Sequence, residues 1–173
     1  MTGGHYAESV LSTLLVHASW LPAAVLVLTV VVGPILGAAI APRPRLLRAL
    51  FVVSLMILAG LTLYPEGRTG GEVGCAVETP YFALEAVETL SNVLLLIPPV
   101  LIAGLLFRRP IMAMVGGSAI SALIEFVQAV VPHIGRACDT SDWITNTIGS
   151  VVGGLIALAA LVLERRRKGV TRR

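Results

Sequence analysis

Charge is what this chain has least of. Asp, Glu, Lys and Arg make up 13% of its 173 residues, about half the share usual in a soluble domain. With 56% hydrophobic residues and a mean hydropathy of +0.89, that scarcity excludes an ordinary water-soluble fold. Positive charge is missing altogether before Arg43, so the start of the chain lacks the basic n-region of a secretory signal, and its first apolar run is too long for an h-region. The expectation is a segment retained in the mature protein. No nucleophile motif, phosphate-binding loop or recognised metal-ligand spacing occurs, so no cofactor and no metal are expected. The basic C-terminal run has no interleaved aromatics and no nucleic-acid fold signature. It reads as charge set beside anionic lipid headgroups, and nucleic acid is not an expected partner.

What the chain does have is long apolar runs. A helix needs roughly 20 apolar residues to cross about 30 Å of hydrocarbon, and such runs occupy about 20–41, 46–64, 90–107, 111–131 and 144–163. The fold class is therefore all-α, a polytopic transmembrane bundle of about five spans. Residues 1–19 form an interfacial N-terminal segment, 20–163 a single transmembrane domain, and 164–173 a basic tail. Of the 13 Lys and Arg residues, 11 fall in three places: 43–48, 108–109 and 165–173. These alternate as five spans require, so the positive-inside rule places them in the cytoplasm, with the N-terminus outside and the C-terminus inside a cell membrane. The same argument puts Cys75 and Cys138 in extracytoplasmic loops, where a thiol pair is a disulfide candidate.

Residues 6–18 place Tyr6, Val10, Leu11, Leu14 and Leu15 on one helical face, the pattern of a helix lying on the outer surface. His17 near its end reads as a headgroup-level polar residue. Gly33, Pro34 and Gly37 interrupt the first span and predict a kink or close helix contact. The 65–88 loop carries five glutamates against Arg68, as expected of an outside loop from which positive charge is excluded, and residues 81–89 could open a short helix. Pro98 and Pro99 break the third span's hydrogen-bond ladder, giving either a kink or part of a lined cavity. A short echo relates the two hairpins: P-E-G-R, Cys75 and L-S-N at 90–92 in one, P-H-I-G-R, Cys138 and I-T-N at 144–146 in the other. A duplication would set Asn92 and Asn146 at matching depth, although chance is the simpler account of motifs this short.

The chemistry gathers between Ser118 and Gly149. Ser118, Ser121, Glu125 and Gln128 recur at helical spacing and share one stripe of the fourth span. Glu125 lies about 9 Å inside the outer end, at about 1.5 Å per residue. An acid at that depth must be protonated, paired or wet, and is either part of a helix-joining hydrogen-bond network or functional. The loop that follows brings up His133, Arg136, Asp139 and Asp142. Asp142 or Ser141 is expected to cap the fifth span, and Asp142, Asn146, Gly149 and Gly153 continue one stripe, the glycines permitting close helix approach. Arg136 is the natural partner of Glu125 or an aspartate, and equally a fork for a phosphate or carboxylate.

Together N-x-L-L-L-I-P at 92–98, the set Ser121, Glu125 and Gln128, G-R at 135–136, and D-x-x-D-W-I-x-N-T-I-G from Asp139 to Gly149 resemble the VanZ-like family of bacterial membrane proteins. The resemblance runs from about Leu46 to Leu163 and implies a cell-envelope protein of the kind associated with resistance to teicoplanin-type glycopeptides and lipoglycopeptides. It carries over to Asn92, Glu125, Gln128, Arg136, Asp139, Asp142 and Asn146. The expected partners are membrane lipids, a lipid-linked cell-wall precursor among them, held at a polar site of Asn92, Ser121, Glu125, Gln128, Arg136, Asp139, Asp142 and Asn146. Two alternatives stand beside lipid binding: a headgroup-modifying enzyme with Glu125 or Asp142 as acid-base, and a structural subunit using the same residues to join helices.

Overall fold

The computed structural model describes residues 18–65, 74–81, 86–131 and 138–171. Among these, five helices are long and apolar enough to cross a membrane: α1 (Leu21–Ile40), α2 (Pro44–Leu63), α3 (Val87–Phe107), α4 (Pro110–Val130) and α5 (Thr140–Thr171). Helices α1, α2 and α4 each carry a proline in the first turn, where its fixed φ suits the helix and the missing N–H would have been unpaired anyway. The all-α bundle inferred from hydropathy is the fold observed. The bounds differ in detail. Helix α3 starts at Val87, so residues 87–89 open the third span itself, and α5 starts at Thr140 and runs on as helix through the basic residues. Between Leu163 and Lys168 there is no helix breaker, and Lys168 pairs with Glu164 one turn back at 2.6 Å, which favours continuation.

Helices α3 and α5 form the central pair, with α1 packed on one side of both and α4 on the other; α2 lies on α3 and touches α4 little. Two glycines explain how closely the central pair approaches. A Cβ at Gly149 would stand 2.9 Å from the carbonyl carbon of Val93, and one at Gly153 would stand 2.7 Å from the carbonyl oxygen of Ile97. Backbone cannot retreat as a side chain can, so only glycine fits these two positions. Helix α3 continues through Pro98 and Pro99. The outward faces of α1 and α2 expose residues such as Val27, Leu28, Val31 and Met56, as expected of surfaces facing lipid tails.

At one end of the bundle two short strands, β1 (Cys75–Ala76) and β2 (Cys138–Asp139), pair in parallel, with Cys75 opposite Cys138 and Ala76 opposite Asp139. The expected disulfide joins the two cysteines, whose Cα atoms lie 4.5 Å apart. Thr140 then clamps the neighbouring backbone: its hydroxyl donates to the Glu78 carbonyl at 2.9 Å and accepts from the Glu78 N–H at 2.9 Å. At the opposite end Arg108 closes α3 in a left-handed conformation, φ 55°, which is unfavourable by roughly 1–2 kcal/mol for a residue with a Cβ. From there its Nη2 donates at 2.6 Å to Oε2 of Glu164, a side chain only 3% exposed. The interfacial helix expected at residues 6–18 lies outside the described residues up to His17.

Candidate functional site

At the disulfide end, the last turn of α2, the first turns of α3 and α5, and the last two turns of α4 surround a cavity of about 230 Å³. Its polar lining includes Thr62, Asn92, Glu125, Gln128, Asp142 and Asn146. Five of these six were expected from sequence, and the helical stripes explain why. Ser121, Glu125 and Gln128 all turn their buried faces inward from α4, while Asp142 and Asn146 lie one turn apart on α5. Asn92 from α3 completes the ring, so the two asparagines of the hairpin echo do face one site.

The hydrogen bonds give each residue a place. Asn92 donates through Nδ2 to Oδ1 of Asp142 at 2.6 Å, which joins α3 to α5. Gln128 donates through Nε2 to the Thr62 carbonyl at 3.0 Å, joining α4 to α2. Glu125, 7% exposed, accepts at Oε2 from the backbone N–H of Asp139 at 3.0 Å. The disulfide-held strand is thereby tied to the floor of the cavity. Asn146 is buried with its Oδ1 lacking a hydrogen-bond partner, and so is Ser121 Oγ. Buried polar atoms are usually satisfied, so an orphaned acceptor on a cavity-lining side chain is a place for a donor from a ligand.

One expectation changes. The cap of α5 is Asp139, not Asp142 or Ser141: the helix begins two or three residues earlier than those caps would require, and Asp139 Oδ1 accepts from the Ser141 N–H at 2.8 Å. Asp142 is thereby released from capping and turns its Oδ1 to Asn92. Glu125 takes the Asp139 amide as a partner; Arg136, expected to pair with Glu125 or an aspartate or to meet a ligand, and His133 lie outside the described residues. Sequence reasoning also missed Thr62, which takes part through its carbonyl, a group that every residue carries and no side chain signals. A second polar cavity of about 200 Å³ lies on the other side of Asp142, lined by Glu78, Tyr81, Glu88 and Asp139 among others.

The VanZ/LLP1 family model matches residues 51–163, which span α2 through most of α5 and every described site residue. The chain belongs to the VanZ/LLP1 family. No curated protein and no solved structure matches it. In this VanZ/LLP1 membrane protein with five candidate spans, Asn92, Glu125, Gln128, Asp142 and Asn146 gather around one cavity at the disulfide end, while Ser121 and Asp139 of the expected set lie outside its lining. That cavity offers carboxylate and amide oxygens together with one unpartnered acceptor, a lining suited to a ligand rich in N–H or O–H donors.

Proposed function

We infer that the cavity binds the polar headgroup of a membrane lipid or lipid-linked cell-wall precursor at the outer face of the membrane. The observation that carries this reading is the buried, unpartnered Oδ1 of Asn146 in a cavity that also holds Glu125 and Asp142. These acceptors select a headgroup bearing an amine, amide or sugar hydroxyls, and Glu125 with Gln128 and Asn146 orients it. Arg136, two residues before the disulfide cysteine in sequence, is the cation that would meet a phosphate on the same ligand. The distribution of Lys and Arg supports placing the disulfide end outside and the Arg108 end in the cytoplasm, and a disulfide fits the oxidising side. Occupying an outer-leaflet lipid in this way would alter access of lipophilic glycopeptides to the cell surface, which links the site to teicoplanin-type resistance.

Native mass spectrometry of the detergent-purified protein tests the reading. Wild type is compared with Glu125→Gln, Asn146→Ala and Arg136→Ala, and the co-purified lipid is identified. Lipid retained by wild type and lost from folded Asn146→Ala is the expected result. Equal retention of the same lipid by all four folded proteins would refute headgroup binding, and conversion of that lipid during incubation would favour the enzymatic alternative.

A further inference from the structure

The bundle also holds a cavity larger than the polar one. Between α2 and α4, with α3 as its floor, lies an apolar cleft of about 470 Å³ that begins beside Phe107 and Arg109. A second apolar cavity of 250 Å³ continues it along the same two helices. The two share Leu55, Leu58 and Ile120 in their linings. The second in turn shares Thr62 and Ile124 with the polar cavity. The three adjoining cavities therefore follow one another along α2 and α4, a track from the Arg109 end of the bundle to the Glu125 site.

Its width comes from small residues. Ala59 on α2, Ala103 on α3, and Ala113, Gly116 and Gly117 on α4 line it, and α2 hardly packs on α4. A Cβ built at Gly116 meets nothing within 4 Å, so this glycine does not serve helix packing; it leaves the cleft open. The length of the track is the informative quantity. On α4 its lining runs from Arg109 to Val127, about 27 Å at 1.5 Å per residue, close to the roughly 30 Å of the whole hydrocarbon core. The chain of a diacyl lipid fills one leaflet, about half of that. A hydrocarbon that occupies the track from end to end must be longer than a leaflet is deep.

We propose that the α2/α4 cleft is a tail subsite for one long polyprenyl chain, whose head end reaches the polar cavity through the Thr62 and Ile124 boundary. The assignment rests on the headgroup reading above, and it names the class of lipid: a polyprenyl-linked one rather than a glycerophospholipid. Lipid tails are as apolar as the leucines that line the cleft, so burial there contributes little affinity. Selection comes from length, while the headgroup contacts supply the binding.

The test uses the purified full-length chain in dioleoyl phosphatidylcholine vesicles containing a long-chain polyprenol with a photoreactive group at the far end of its tail. Labelled residues are mapped by mass spectrometry, with unlabelled polyprenol, farnesol and excess phosphatidylcholine as competitors. The expected labels fall on Met112, Phe107 or Leu55, are displaced by the long polyprenol, and persist with farnesol. Gly116→Leu, which fills the cleft, abolishes them, whereas Gly60→Leu, also open to a Cβ but outside the track, leaves them unchanged. Labels spread evenly over the outer faces of α1 and α2, displacement by phosphatidylcholine, or labelling unaffected by Gly116→Leu would each overturn the tail subsite. The two readings fail separately. Retained headgroup lipid without cleft labelling removes only the tail assignment; cleft labelling in a protein whose lipid retention ignores Asn146→Ala and Glu125→Gln removes only the headgroup site.

Discussion

Replacing Gly149 by alanine adds one methyl group at the tightest point of the bundle. That methyl would meet the carbonyl oxygen of Val93 in hard overlap, with the carbonyl carbon at 2.9 Å and Cα at 3.2 Å. None of these atoms belongs to a side chain that can rotate away, so α5 must move from α3. Overpacking of this kind costs about 1–3 kcal/mol, and backbone contact places it at the upper end. Alanine recovers roughly 1 kcal/mol of helix propensity, which leaves a net loss of about 2 kcal/mol. For a chain of this size that corresponds to a fall of about 4–8 °C in Tm. Gly60 sits on α2 with nothing within 4 Å of a Cβ, so Gly60→Ala gains the propensity without the clash and rises slightly. The assay is thermal unfolding in detergent followed by the fluorescence of Trp20 and Trp143. The displacement also reaches the site, because Val93 follows Asn92, and the 2.6 Å bond from Asn92 to Asp142 crosses the same seam. If Gly149→Ala melts at or above the wild-type temperature, the account of α3 and α5 packing is wrong.

Other perturbations test other contacts. Cys138→Ser opens a bond that spans 63 residues; loop-closure entropy alone sets an upper bound of about 4 kcal/mol, and the membrane-held spans inside the loop reduce it, so a Tm drop of several degrees, reproduced by reductant on wild type, is expected. Asn92→Leu removes the donor to Asp142 and should cost about 1.5–3 kcal/mol, as for a hydrogen bond to a charged group, measured by the same melts. Arg108→Ala leaves Glu164, 2% exposed, paired with Lys168; because the Arg108 side chain is 45% exposed, the cost is discounted to about 1–2 kcal/mol. Glu164→Gln should cost less, since it removes the buried charge itself, and equal melts for both variants would argue against that pair.

How far the sequence revealed the site depended on whether the chemistry lay in side chains. The stripe Ser121, Glu125 and Gln128 was legible because an apolar helix makes every polar residue conspicuous, and the spacing alone puts them on one face. Asp142, Asn146, Gly149 and Gly153 were legible for the same reason, and charge asymmetry between loops brought Cys75 and Cys138 to one side. What escaped were contacts made by backbone groups or set by helix ends. The Thr62 carbonyl and the Asp139 amide leave no mark in the sequence. The capping assignment failed because a shift of three residues, less than one turn, in the start of α5 moves the duty from Asp142 to Asp139 and leaves the Asp142 side chain to accept from Asn92. The α2/α4 cleft was hidden for a different reason: Ala59, Ala113 and Gly116 are small residues, and only the positions of the neighbouring helices show whether such residues admit a partner helix or leave a gap.

The walls of the polar cavity are held unequally, and this follows from where each tether acts. The first turn of α5 is fixed by the strand ending at Asp139, by the Asn92 bond to Asp142 and, two turns on, by the glycine seam against α3. Helix α4 is fixed by the Asp139 amide on Glu125 and by the Ser118 and Thr147 hydroxyls, 2.9 Å apart. These contacts share elements, so their losses should not add: residues in one network couple by about 0.5–3 kcal/mol. Helix α2 stands outside that network. Its polar link to α4 is the single bond from Gln128 to the Thr62 carbonyl, at the boundary between the polar cavity and the cleft. Gln128→Leu deletes that bond without touching the α3, α4 and α5 contacts. Its cost should therefore add to that of Cys138→Ser, whereas Asn92→Leu and Cys138→Ser, both acting on the first turn of α5, should be coupled. A double-mutant cycle on each pair decides it; coupling in the Gln128 pair as large as in the Asn92 pair would show that α2 is held as firmly as the other walls.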